Sequence, residues 1–136
     1  MRLKQLLVGT HRYSPDLAIL VLRVGSGFFL AIHGWNKFVH FDEKVADWPD
    51  PLHVGSFVSL GLTVFSELVC TALLIAGLLT RPALAVLIAT MLIIIFVIHA
   101  GDPVTDREHA FLFLIPFVAI FLFGPGQYSL DALIKK

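Results

Sequence analysis

The sequence predicts an all-α integral membrane protein, a four-helix bundle of up-down-up-down topology with both termini on the cytoplasmic side. Three observations carry that expectation. Hydrophobic residues make up 57% of the 136 and charged residues only 15%, against about 25% charged in a soluble domain. So much apolar surface exceeds what one small water-soluble core takes in, and lipid must cover the rest. The apolar residues fall into four segments, each near the roughly 20 residues that cross about 30 Å of hydrocarbon. Lys and Arg are divided unevenly between the two sets of loops, which sets orientation. The length suits a single domain over 1–136.

Met1-Arg2-Leu3-Lys4 has the basic character of a signal peptide's start, but the apolar stretch stops at Gly9 and no small-residue cleavage site follows. Leu3, Leu6 and Leu7 beside Arg2 and Lys4 read instead as an interfacial segment within 1–13. The first spanning helix covers about 17–38. Ser14 is its N-cap, Pro15 takes the first helical position, and Asp16 falls in the first turn, where the helix dipole favours an anion. The second covers about 57–79. The third, about 82–99, has Thr80 as its cap with Arg81 and Pro82 in the first turn. The fourth, about 108–123, is shorter and stops at Gly124-Pro125-Gly126. Ser129 caps a last amphipathic turn through Leu130, Leu133 and Ile134.

Arg2, Lys4 and Arg12 precede the first helix, Arg81 follows the second, and Lys135 and Lys136 end the chain. The opposite loops hold Lys44 and Arg107, with Lys37 at a helix end, and are acidic at Asp42, Glu43, Asp47, Asp50, Asp102, Asp106 and Glu108. The basic side is therefore the cytoplasmic one. Trp35 and Trp48 belong at the outer interface. A net charge of zero gives no reason to expect nucleic acid. The lone Cys70 forms no internal disulfide or CxxC pair and reads as a small apolar residue.

Ionisable groups in apolar helices are costly, so they turn inward and often mark function. Arg23, Ser26, Gly27, His33, Gly34 and Lys37 fall within one arc of roughly 120° on the first helix. Ser59, Thr63, Ser66, Glu67 and Cys70 form a similar stripe on the second. Glu67 lies near mid-helix, Arg23 roughly 7 Å to the cytoplasmic side of centre and His33 roughly 7 Å to the outer side. An ion pair between Arg23 and Glu67 is expected, since either charge alone is expensive there. His33, Lys37, His99, Glu108 and His109 gather around an outward mouth with Glu67 at its floor, as candidates for ligand binding or proton relay. The plainer readings are that Lys37 snorkels to the interface and that His99 and His109 are water-facing helix ends. A cavity is expected between them, lined by His33, Lys37, Glu67 and a residue of the Glu108-His109 pair, with apolar walls from Phe57, Phe65, Phe96 and Phe111.

The ordered set Arg23, His33-Gly34-Trp35-Asn36-Lys37, mid-helix Glu67, Gly77-Leu78-Leu79-Thr80-Arg81, His99, Glu108 and Gly124-Pro125-Gly126-Gln127-Tyr128-Ser129-Leu130-Asp131 resembles the DoxX family of small bacterial four-helix membrane proteins. The likeness runs from about Asp16 to Leu133. It implies residence in the bacterial inner (plasma) membrane. Some relatives are the membrane subunit of a thiosulfate:quinone oxidoreductase, and another is a membrane partner of enzymes that handle oxidative and thiol stress. The family name comes from association with a terminal quinol oxidase, which makes a quinone link an analogy rather than a site.

The first function expected is therefore a quinone-interacting membrane subunit of an oxidoreductase system. His33 would donate and relay a proton, Lys37 would stabilise a reduced oxygen, and Glu67 would accept or pass a proton. Electrons would come from a partner redox enzyme, because the chain has no cysteine cluster and no flavin fold. The alternatives are a non-catalytic accessory or assembly protein, and a small solute- or lipid-binding or transport protein. No haem, flavin or metal is expected. His33 and His99 sit at different depths for axial haem ligands, and no close spacing such as HExxH joins His33, His99, Glu108 and His109. Substrate, catalytic status and homo-oligomerisation stay open.

Overall fold

A computed structural model describes residues 3–9 and 14–136. Arg2, His11 and Arg12, and the side chain of Leu6, lie outside the described residues. A short helix α1 spans Leu3–Val8. The helix α2, Pro15–Val39, starts as the capping rules require. Ser14 is extended and its hydroxyl accepts from the Leu17 N–H at 3.2 Å, with Pro15 in the first turn. A single turn α3, Phe41–Lys44, and a 3-10 turn, Val45–Asp47, lead into the loop before α4.

The helix α4, Ser56–Ala76, is shorter at its C-terminus than the apolar pattern suggests. Gly77 takes a left-handed conformation, φ +71°, and the Leu78 N–H returns to the Leu73 carbonyl. That is a Schellman stop, so Leu78 and Leu79 lie outside the helix. The helix α5, Thr80–Ile98, follows after a reversal of only three residues. Thr80 is not its cap, contrary to the sequence expectation. Leu79 occupies that position with φ +49°, and the capping oxygens come from Asp131, which accepts from the N–H groups of Leu79 and Thr80 at 2.9 Å each. A 3-10 turn, Val104–Arg107, opens α6, Glu108–Phe123, and Ser129 caps α7, Leu130–Lys135, by accepting from the Ala132 N–H.

Two stretches wind as π-helix, Phe65–Cys70 inside α4 and Ile94–Ile98 at the end of α5. Such turns shift the helix register and free carbonyls for other donors. The Thr71 hydroxyl donates to the Ser66 carbonyl, and Arg107 donates to that of Ile95 at 3.1 Å.

In the packing, α2 lies against α4 and α6, and α5 lies against the same two helices. Their common core includes Leu30, Leu74, Leu87, Met91 and Phe117. Large apolar side chains also cover the outside, among them Phe28, Phe29, Phe57, Phe96, Ile115 and Leu122. Among the described residues three helices, α2, α4 and α5, are long and apolar enough to cross a membrane; α6 has 16 residues. The arrangement makes two ends: one where α2 and α5 finish, called here the Lys37 end, and one where α4 and α6 finish, called the Arg23 end.

Candidate functional site

At the Lys37 end, Lys37 in the last turn of α2 meets Glu67 in the π-helical stretch of α4, with Nζ to Oε2 at 2.6 Å. The Glu67 side chain is 3% exposed and that of Lys37 19%. Gly34, one turn before Lys37, makes the meeting possible. A Cβ built there would come within 2.8 Å of the Glu67 backbone carbon. Only hydrogen lets the two helices approach that closely. From the loop, the Trp48 ring lies over Lys37 with its centroid 5.9 Å from Nζ, a cation–π position. The loop is held in shape. Asp50 accepts from the Val54 and Gly55 N–H groups, and the Ser56 and Ser59 hydroxyls donate to the Trp48 and Pro49 carbonyls.

One turn below Lys37 on the same helix, His33 stacks on His109 of α6, ring centroids 5.9 Å apart and planes 29° from parallel. Phe113 meets His33 edge-on at 6.1 Å and stacks in turn on Phe117. Both imidazoles are exposed rather than enclosed. His33, Lys37, Glu67 and His99 all lie close enough to His109 to act on it electrostatically. His99 itself ends α5 and pairs locally with Asp102, Nδ1 to Oδ2 at 2.7 Å. Glu108 opens α6 on the exposed surface, where a carboxylate suits the helix N-terminus, and its side chain makes no hydrogen bond or ion pair with the other described residues.

The expected ion pair between Arg23 and Glu67 does not form. Gly34 sits level with Glu67, and Arg23 lies 11 residues earlier on α2, roughly 16 Å away at 1.5 Å per residue. Lys37 is one turn from that level and takes the carboxylate. Arg23 is almost wholly buried, 1% exposed, and its charge is solvated by backbone carbonyls. Its Nε donates to Leu74 at 3.0 Å, Nη2 to Ile75 at 2.8 Å, and Nη1 to Pro125 and Tyr128 at 3.0 and 2.8 Å. The first two are carbonyls of the last turn of α4, the negative end of its dipole, and that of Leu74 also accepts from the Gly77 N–H at 3.1 Å. Gly77 has no Cβ to strike Arg23 and Ser129, so the chain can fold over the guanidinium. Asp131, beyond α4 and close enough to interact with Arg23, holds the start of α5. Thus Arg23, Gly77 and Asp131 form a structural knot that fixes three chain ends.

The expected cavity lined by His33, Lys37, Glu67 and the Glu108-His109 pair is not an open chamber. The Gly34–Glu67 contact and the Lys37 side chain fill that level. Phe57, Phe65 and Phe96 are exposed on the outside and wall nothing, while Phe111 packs partly into the core. A small cavity of about 80 Å³ does lie nearby, between α4 and α5 and under the loop that precedes α4, lined by Trp48, Ser59, Thr63, Thr90 and apolar neighbours. Sequence reasoning assigned no part in the site to Trp48 or Asp131. Their signals were a tryptophan in a Pro- and Asp-rich loop and an acid two residues after a helix-capping serine. Among the described residues, no three His, Cys, Asp or Glu side chains converge as metal ligands, and Cys70 is buried.

The DoxX family model matches residues 18–100, a stretch that includes Arg23, His33, Lys37, Glu67 and His99. A protein of Haemophilus influenzae described as uncharacterized is 30% identical over 132 residues, covering 88% of this chain and 85% of the relative. No solved structure matches the chain.

Proposed function

Since this chain belongs to the DoxX family, we propose that it is a multi-pass protein of the bacterial plasma membrane whose Lys37 end engages a quinone headgroup for a partner oxidoreductase. In this reading α2, α4, α5 and α6 all span the bilayer as an up-down-up-down bundle, and the Arg23 end faces the cytoplasm. The Lys/Arg bias supports that orientation, with Lys4, Arg81, Lys135 and Lys136 on one side.

The observation that carries the proposal is the exposed His33–His109 stack beside the buried Lys37–Glu67 pair. Polar rings on an otherwise apolar flank suit a ligand that arrives from lipid rather than from water. The residues fit a quinone. Each imidazole can offer an N–H to a carbonyl oxygen, and Phe113 supplies an aromatic edge beside them. A bound quinone supplies two-electron, two-proton redox chemistry. Glu67 lies at nearly the same level as His33, because the neighbouring Gly34 packs on its backbone, and its carboxylate, paired with Lys37, is the proposed proton acceptor beside the stack. Electrons enter from the partner, since one cysteine provides no thiolate set for an iron–sulfur cluster.

A quinone titration in lipid nanodiscs tests this. Wild type is expected to bind, and His33→Ala and His109→Ala to bind at least about ten-fold more weakly, the effect of about 1.4 kcal/mol. If both bind as well as wild type, or wild type binds nothing, the accessory-protein reading replaces it. That reading is favoured over transport because the interior at this level is filled by Lys37, Gly34 and Glu67 rather than open.

A further inference from the structure

The Arg23 end holds a second site of different chemistry. A cleft of about 560 Å³ opens where the start of α5, the end of α6 and the helix α7 meet. Arg81 and Lys135 line it from opposite elements. Two carboxylates line it as well, yet both are already engaged. Asp131 gives both oxygens to the Leu79 and Thr80 N–H groups and lies beside Arg23, and Asp16 accepts from the Gln127 N–H at 3.0 Å. The Arg81 guanidinium is anchored through Nε to the Phe121 carbonyl, which leaves its two terminal nitrogens for another acceptor. The charge of Asp131 is offset by the nearby Arg23, so Arg81, held in place, and Lys135 together outweigh the one remaining acid of the lining, Asp16.

The rim is apolar. Leu79 and Phe123 line the cleft and are about half exposed, and Leu133 and Ile134 stand out from the adjoining face of α7. A water-soluble anion has no use for such a rim, whereas a phospholipid places a phosphate and acyl chains side by side. We propose that this cleft binds the phosphate of an anionic phospholipid, with Arg81 and Lys135 as its partners and the chains lying along Leu79 and Phe123. The proposal does not depend on quinone binding at the opposite end.

Purified protein in detergent micelles, titrated with phosphatidylglycerol and read by native mass spectrometry, is expected to retain the lipid. Arg81→Gln and Lys135→Gln should each weaken retention about five-fold, one cation's share at an anionic surface. Arg81→Lys should keep most of it. Lys44→Gln, at the other end, should change nothing. Lys135 is exposed, so its substitution leaves folding intact even if Arg81→Gln does not. Unchanged retention in Lys135→Gln, equal retention of phosphatidylcholine, or full displacement by inorganic phosphate at matched concentration would each overturn the proposal.

Discussion

Lys37 and Glu67 close a 2.6 Å ion pair between α2 and α4, and the carboxylate is almost completely removed from solvent. A buried pair of this kind is weak evidence of net stabilisation, but it makes each partner dependent on the other. Lys37→Met is expected to leave Glu67 buried and unpaired and to cost about 3–5 kcal/mol. Adding Glu67→Leu should recover most of that loss, because both desolvated charges are then gone. Unfolding in mixed detergent reads Lys37→Met, Glu67→Leu and the double variant. Simple additivity of the two substitutions would show that the groups are not coupled.

Arg23 predicts the opposite pattern. It has no single carboxylate partner, so no second substitution restores it. Its planar fork serves four carbonyls on two elements, which an ammonium on a lysine stem does not reproduce. Arg23→Lys should destabilise by about 3 kcal/mol, on the scale of one or two hydrogen bonds made by a charged donor. A melting profile matching wild type would argue that the carbonyls find other donors.

Glycine positions separate contact from mere helix preference. At Gly34 an added methyl would collide with the Glu67 backbone, whereas at Gly25 a Cβ meets nothing within 4 Å. Gly25→Ala should therefore be neutral or gain up to about 1 kcal/mol of helix propensity. Gly34→Ala should cost about 1–3 kcal/mol, as overpacking does, and should lengthen the Lys37–Glu67 contact. Equal effects at the two sites would mean that α2 and α4 are not in tight contact there.

Helices and local caps were legible because their causes are local. Apolar runs, Ser14 before a proline and Ser129 before Leu130 act within a turn or two of themselves. The pairing of charges was not legible, because it depends on helix register. Depth counted from segment centres placed Arg23 under Glu67. The real register is set by Gly34 against Glu67 and by the early stop at Gly77, neither of which moves a hydropathy average. The same limit applies to Asp131. Its role at the start of α5 spans 51 residues of sequence, and no window around Thr80 contains it. His33 and His109 stack at the Lys37 end. That they face outward follows from α2–α6 packing and not from the polar stripe alone.

Asp131 gives a prediction with a sign. Desolvation pushes its carboxyl up, but hydrogen bonds from Thr80 and Leu79, with the Arg23 guanidinium nearby, outweigh that, and the group stays below its ordinary value. A carboxyl whose folded pKa lies below the unfolded one, about 3.9, adds stability that is fully present above the unfolded value. That stability is lost as pH falls through the folded value. Wild type should hold its stability from neutral pH down to about pH 5 and then decline. Asp131→Asn removes the charge and one acceptor at the start of α5. It should be less stable at neutral pH by about 1 kcal/mol, the usual worth of a helix cap. Other carboxylates titrate in the same range, so the readout is the difference between the two stability curves. That gap should be widest above pH 5 and should close in acid. A gap that stays constant down to acid pH would mean that Asp131 acts by shape alone, and that its charge contributes nothing to the join between α4, α5 and α7.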